Sequence, residues 1–484
     1  MCIRDRLYTT SFKPSTKPLT NITNTKLLCC QSSTVTAATV APGTITAHSV
    51  PTASTNSPFD DSAGYKFGEG GDQNIIKCGS YKGNGDATNG IRVYVGFEPQ
   101  WLLIKTTEHN EHWHQFDAMR GMANNKRGQI GIDSRLEINN AGSETNTVDF
   151  IDIHPDGFTA YFTNNVNATN ENFVYTAIRR PDGYVGKPAT AGSDVFAMGR
   201  GMGTVLAYPS GFPVDFGVYR PFATSGSWWN SNRLTQLWER KFQDTNEDSG
   251  WSGAMFDSNN RWVNTTHGSG HQSWMWKRHA GFDVVVDEGN GQTTKNILHS
   301  LGVVPQMIWR KNRNGGSDNW QVYHYMLNGG TTPHLWRLRI NTNNSEANDP
   351  YTWVNAPTDT HFTVGSNGSI NRDNDKFITM LFSSVEGVSK VGSYDGSDSD
   401  QTISTGFSPR FLIIKRLDQS ESWIVLDTRR GWGAGNDQAL FLDTDAAPSG
   451  GLNLGEPTST GFTVSGSNNW VSTANGKFIY YAHA

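Results

Sequence analysis

Charge is scarce in this chain, and so are stretches of helix-forming residues. Only 18% of the 484 residues are Asp, Glu, Lys or Arg, and the formal net charge is −5. No window is strongly basic, so nothing neutralises a phosphate backbone and nucleic acid is not an expected partner. Long apolar runs are missing too. The longest, such as Trp101-Leu102-Leu103-Ile104, are strand-sized and far short of a membrane span, so no membrane insertion is expected. The cysteines Cys2, Cys29, Cys30 and Cys78 show neither paired zinc-type spacings nor a disulfide framework. A bridge between the adjacent Cys29 and Cys30 would be strained. All four are expected to be reduced and to pack as small hydrophobes. The opening MCIRDRLYTT lacks the apolar stretch of a secretory signal. Nor is there a Gly-x-Ser-x-Gly elbow, a phosphate-binding loop or an HExxH string. The expectation is therefore a non-enzymatic protein with no catalytic residues, no cofactor and no metal.

What is abundant is glycine, with 51 copies, and tryptophan, with 16, alongside much Asn, Thr and Ser. Turn formers and aromatics are what short strands and tight connections need. One pattern occurs four times. GFEPQWLLIK begins at Gly96, GFPVDFGVYR at Gly211, LGVVPQMIWRK at Leu301 and GFSPRFLIIKR at Gly406. The spacing is roughly one hundred residues, a natural size for a β-sandwich module. Gly and Pro end a turn, and the apolar run that follows suits a central strand covered on both faces. Lys105, Arg220, Lys311 and Lys415 are then expected to return the chain to water, their stems lying over apolar surface.

A second, alternating element follows in three copies, at Trp113, Trp320 and Trp423. Two of these place Asp four and Arg seven residues after the Trp, giving Asp117 with Arg120 and Asp427 with Arg430. A turn-stabilising pair is the preferred reading over catalysis, because the third copy has His324 there. In repeat two, WWNSNRLTQLWERKFQD from Trp228 fits this element badly. The predicted fold is all-β: tandem antiparallel β-sandwich (jelly-roll-like) repeats with very little helix. The expected divisions are 1–58, 59–191, 192–290, 291–391 and 392–484, joined closely as beads through short joints such as DEGNG at Asp287.

Taken in order, these strings resemble tandem modules of tail and structural proteins from marine, cyanophage-type bacteriophages. The carriers are SYKGNGDATNG at Ser80, AIRRPDGYVG at Ala177, WMWKRHAGFDVVVDEGNG at Trp274, GVSKVGSYDGSDSDQ at Gly387 and the terminal GKFIYYAHA. The resemblance spans roughly residues 65–484 and brings no catalytic residues with it. The segment TNTKLLCCQSSTVTAATVAPGTITAHS from Thr23 resembles the closing strands of a concanavalin-like (laminin-G-like) domain without its opening strands. MCIRDR looks like a read-end artefact, so 1–58 is expected to be cut at its N-terminus and poorly ordered. The resemblance implies a virion-located structural protein, a tail fibre or tail-associated component. Its expected partners are other virion tail proteins and a bacterial surface glycan. A homotrimer is compatible with a fibre, although no heptad seam specifies one.

Candidate binding residues are aromatic. Trp274 and Trp276, two apart in a strand, share a face on which a sugar could stack. Core packing is the stronger reading for that pair. Trp228 and Trp229, in SGSWWNSN, are the better candidates for an exposed glycan contact. His109, His112 and His114 lie close enough to suggest a transition metal, but no copy repeats the cluster and no carboxylate or cysteine is placed to complete a set, so metal binding is not expected. The alternatives to a structural role are a carbohydrate-binding lectin and, less favoured, a glycan depolymerase. The latter would need two carboxylates facing each other across a groove, which stacked small sandwiches are not expected to provide.

Overall fold

The computed structural model describes residues 21, 23, 25–26, 28–29, 38–46, 75–125, 133–146, 148–181, 189–201, 206–250, 253–264, 270–433 and 435–484. Among them the architecture is nearly all β, with one α-helix of four residues, Gly368–Asn371. Most of the expected segment 1–58 lies outside the described residues. Within it, Leu28–Cys29 pairs with Ala38–Val40.

Four units share one topology. In unit 1 the opening strand Ile76–Lys82 pairs with the closing strand Asn172–Arg179, which pairs with the central strand Pro99–Thr106. His114–Asp117 and Leu136–Glu137 extend that sheet. Unit 2 repeats the order with Phe196–Arg200, His271–Trp276, Phe216–Pro221, Trp229–Asn232 and Arg240–Lys241. Unit 3 uses Phe282–Glu288, Lys376–Phe382, Met307–Asn312, Gln321–His324 and Trp336–Arg339. Unit 4 uses Ser389–Asp395, Lys477–His483, Phe411–Arg416, Ile424–Asp427 and Asp437–Phe441. A smaller antiparallel sheet covers one face of each, for example Gln401–Ser404 with Gly461–Val464 in unit 4.

The repeated glycines land in equivalent places. Gly96, Gly211, Gly302 and Gly406 have φ of +92°, +84°, +77° and +87°, a left-handed conformation that glycine alone adopts without strain. Each turns the chain into its central strand. Gly79 and Gly392 serve a different need, lying directly opposite Tyr175 and Tyr480 on the closing strands. A Cβ at either position would come within about 2.5 Å of the tyrosine ring system.

Two expected divisions move. His271–Trp276 closes unit 2, and Phe282–Glu288 opens unit 3 by pairing with Lys376–Phe382. The string at Trp274 therefore straddles a unit junction near residues 277–281 instead of ending a repeat at 290, and DEGNG lies inside unit 3. Likewise Ser389–Asp395 belongs wholly to unit 4. Repeat two also keeps its register: Trp228 precedes the second element, and Asn232 stands opposite Phe216 as Asp427 stands opposite Phe411.

The units are not beads on a line. Along each central strand, alternate residues face the unit's own small sheet, as Tyr219, Ile308 and Leu412 do. The residues between them, Phe216 and Val218, Met307 and Trp309, Phe411 and Ile413, enter one hydrophobic core that joins units 2, 3 and 4 and is continuous with the core of unit 1. This is the second cover that the apolar runs require.

The contacts around that core run in a closed cycle. The indole of Trp320 (unit 3) donates to the carbonyl of Lys241 (unit 2) at 2.8 Å, that of Trp423 (unit 4) to Arg339 (unit 3) at 2.8 Å, and that of Trp228 (unit 2) to Phe441 (unit 4) at 2.6 Å. The cations ending the central strands follow the same cycle. Lys311 reaches the carbonyl of Thr245 at 2.8 Å, Lys415 that of Asn343 at 3.0 Å and Arg220 that of Ala446 at 2.7 Å. These three are buried, contrary to the expectation that they return the chain to water. Burial pulls both lysines down to about 8, and the neighbouring unit's carbonyls satisfy their protons. Only Lys105 of unit 1 stays partly exposed. The three units thus form a pseudo-threefold ring within one chain.

Truncating a ring tryptophan opens a cavity and orphans a carbonyl. Trp320→Ala is expected to lower the unfolding free energy by ~3–5 kcal/mol in denaturant titration. Tyr351→Ala, at a 66% exposed site, should change it by less than ~0.5 kcal/mol. Equal effects of the two would contradict the shared core.

Candidate functional site

Three of the four candidate glycan contacts are core residues. Trp228, Trp274 and Trp276 are each at most 3% exposed. Trp274 donates to Asp427 at 3.2 Å and Trp276 to the Tyr481 hydroxyl at 3.3 Å, both across to unit 4. Arg220 lies over the Trp228 ring at 4.8 Å. An enclosed ring offers no flat face to a sugar, so the glycan assignment of these three is corrected: they hold units 2 and 4 together. Trp229 is half-buried beneath the ammonium of Lys241, 4.7 Å from its ring.

The Asp–Arg pairs form turns. Asp427 caps the short turn Thr428–Arg430 by accepting from Arg430 N at 3.0 Å and from its Nε at 2.6 Å. Asp117 does the same for Arg120, at 2.8 and 2.6 Å. His324, in the third copy, accepts from Met326 N through Nδ1 and is buried.

The histidines of unit 1 do meet carboxylates, which the linear reading missed. Strand pairing sets Glu137 opposite His114. The ligand atoms of Glu111, His112 and Glu137 all lie within 4.8 Å of one another, and His114 Nε2 is 3.5 Å from Glu111. Two imidazoles with two carboxylates are donors suited to zinc. The group is nonetheless engaged internally, since Arg135 and Asn140 hold Glu137 at 2.9 and 2.6 Å. Burial, then the charge of Arg135, pulls His114 down to about 4, which leaves it neutral at physiological pH.

Contrary to the expectation of no deep groove, a cleft of about 1010 Å³ lies between units 1 and 2. Its lining includes Trp101, Glu98, Asp117, Asp194, Asp215, Arg180, Lys277 and Arg278. Every one of these carboxylates is engaged. Arg278 holds Glu98 through two bonds of 2.7 Å, and Arg180 adds a third at 3.0 Å. Asp215 accepts from Arg233 Nε at 2.9 Å and Arg278 N at 2.7 Å. Asp194 binds the 190–191 turn. Beneath the cleft both arginines also reach Asp283 of unit 3, at 2.7 and 2.8 Å. Burial alone would raise Asp283, but Arg278 and Arg180 outweigh it and hold the carboxyl at about 2.

Two further buried clamps reach from unit 1 or 2 into unit 3. Asp248 accepts from Arg240 and Arg313 at 2.7 Å each, and Arg313 continues to Asn124 at 2.9 Å. Lys376 donates to Asp152 at 2.7 Å. Next to this ion pair, burial and then the charge of Asp152 push Asp149 up to about 7.

A family model described as a domain of unknown function (DUF7483) matches residues 4–180 and 245–484. The stretch between holds the opening and central strands of unit 2. A search of curated proteins found no match.

Two outcomes follow from these charges. Glu98→Ala leaves two buried guanidiniums short of a counter-ion and should cost about 3–5 kcal/mol in denaturant titration, with Arg278→Met added on top recovering part of the loss. A cost below about 1 kcal/mol would deny the clamp its role. For Asp149 the folded pKa lies above the unfolded one, so its contribution is complete below about pH 4 and fades as pH rises through about 7. Asp149→Asn removes this dependence. The variant should gain on the native protein in thermal midpoint between pH 5 and pH 8, and a constant difference would refute the assignment.

Proposed function

From a chain that belongs to the DUF7483 family of unknown function, we propose a non-enzymatic structural protein of a bacteriophage virion, a tail fibre or tail-associated component that contributes to contact with host-surface glycan. The observation that carries the structural part is where the aromatics lie. Trp228, Trp274, Trp276, Trp309, Trp320 and Trp423 fill the core between units instead of lining an open face. Such a chain is stiff, because each sheet of the ring is held on both sides. The virion assignment rests on the ordered strings of the sequence resemblance. Glycan contact would then come from weak loop contacts multiplied over many copies on a particle.

The carboxylates of the cleft favour the non-enzymatic reading over a depolymerase. Glycoside cleavage needs one carboxyl kept protonated and a second left free to attack or activate water. Glu98 and Asp215 instead spend their oxygens on Arg278, Arg180 and Arg233. A lectin is the second reading, favoured by Trp101 in the lining of the same cleft. In that case Trp101→Ala would abolish binding on a glycan array.

Immunogold labelling of phage particles with antibody to this chain should decorate the tail. The purified protein should release no reducing ends from host polysaccharide. Label absent from particles would refute the virion assignment, and steady release of reducing ends would refute the non-enzymatic one.

A further inference from the structure

We propose that the outward face of the larger sheet of unit 1 is a ring interface, filled by the same face of two further copies of this chain, so that the protein is a homotrimer. The inference stands on the repeat geometry and does not depend on the function proposed above.

Register carries the argument. In unit 1, Trp101 lies opposite Ile178, Leu103 opposite Thr176 and Lys105 opposite Val174. The corresponding rows are Phe216 with Trp276 and Val218 with Trp274 in unit 2, Met307 with Phe382 and Trp309 with Met380 in unit 3, and Phe411 with His483 and Ile413 with Tyr481 in unit 4. Those twelve side chains are buried. On unit 1, Ile76 is 61%, Ile138 55%, Trp113 41% and Val174 37% exposed. Their counterparts are Phe196, Phe282 and Ser389 for Ile76, Phe242, Ile340 and Leu442 for Ile138, Trp228, Trp320 and Trp423 for Trp113, and Gln272, Ile378 and Ile479 for Val174, and all are at most 3% exposed. Apolar side chains left exposed on one unit, where the equivalent positions of its three sister units are buried, mark a surface that another molecule covers.

The patch carries both halves of the ring contact. Each ring tryptophan is set by its own backbone N–H donating to the side chain two residues past its unit's acceptor carbonyl. Trp228 N binds Gln243, Trp320 N binds Asn341 and Trp423 N binds Asp443, all at 3.0 Å. Trp113 N binds Asn139 at the same 3.0 Å. Trp113 is thus poised as a donor, and the equivalent acceptor on unit 1 is the carbonyl of Glu137, paired with His114 as Arg339 is paired with Gln321. That carbonyl takes Asn140 N at 3.1 Å and keeps a second lone pair, as the carbonyl of Phe441 takes Thr444 N beside the Trp228 indole. The tryptophans of units 2, 3 and 4 already occupy one another's acceptors, so the ring they form has no vacancy for Trp113. What fits a surface bearing both halves is another unit bearing both halves. A head-to-tail contact whose internal precedent closes after three units closes after three here. Thr176 stands where the ring has Trp274, Met380 or Tyr481, and Gln115 where it has Asn230, Val322 or Val425. That greater polarity suits a face that meets water before assembly.

Sedimentation equilibrium of the full chain should return three times the chain mass. Ile138→Asp and Val174→Asp alter side chains that are exposed in the single chain. They should shift the trimer–monomer dissociation constant by at least 100-fold while leaving the circular dichroism spectrum and the monomer thermal midpoint unchanged. Tyr351→Asp, an exposed aromatic on unit 3, should leave the trimer intact. A monomer or dimer at all concentrations would overturn the proposal, as would a trimer indifferent to both unit 1 variants. A monomer that Ile138→Asp destabilises would also overturn it, by showing that the chain's own residues cover the face. So would an oligomer that forms only on adding polysaccharide.

Discussion

Three indole-to-carbonyl hydrogen bonds, from Trp228, Trp320 and Trp423 to the adjacent unit, close a ring on which most of the structure depends. They fix how the large sheets of units 2, 3 and 4 face one another, and so make a core that no unit could form alone. A sheet of this size exposes a whole apolar face if only its small partner sheet covers the other side. The ring buries that second face, and the cost of ordering four loop-rich units is met jointly rather than unit by unit.

The polar part of the same design is the conversion of cations into ties. Arg220, Lys311 and Lys415 leave water to bind backbone carbonyls of a neighbour, while Arg278, Arg180, Arg240 and Arg313 join unit 1 to the ring through Glu98, Asp283, Asp248 and Asn124. Buried ion pairs add little net stability over apolar packing, but an unpaired partner is expensive. They therefore specify the placement of unit 1 more than they strengthen it. The four carboxylates lining the cleft are all hydrogen-bonded, and the charges of Glu98 and Asp283 with Arg180 and Arg278 hold the units in place.

Much of this was legible in the residues. The glycines at 96, 211, 302 and 406 predict one turn conformation, and all four adopt it. Continuous runs such as Phe411 to Ile414 predict strands covered on both faces, which those of units 2, 3 and 4 are, whereas Trp101 and Leu103 of unit 1 stay half-buried. What covers the second face was not legible, because the contacts join residues as far apart as Trp228 and Phe441, and no local pattern encodes a partner so distant. For the same reason the burial of Trp228 was hidden by its polar neighbours in SGSWWNSN. Glu137 was missed as a neighbour of His112 because only sheet register brings them together. The misplaced boundary at 290 has a simpler cause: closing and opening strands are both apolar, and only a five-residue turn, 277–281, separates them.

Native-state hydrogen exchange tests the shared core most directly. The amides of Phe216–Pro221, Met307–Asn312 and Phe411–Arg416, one central strand from each ring unit, should open with one common free energy and respond to denaturant with one common slope. A ladder of distinct openings, with unit 4 exchanging while units 2 and 3 stay protected, would show three independent sandwiches and contradict the account.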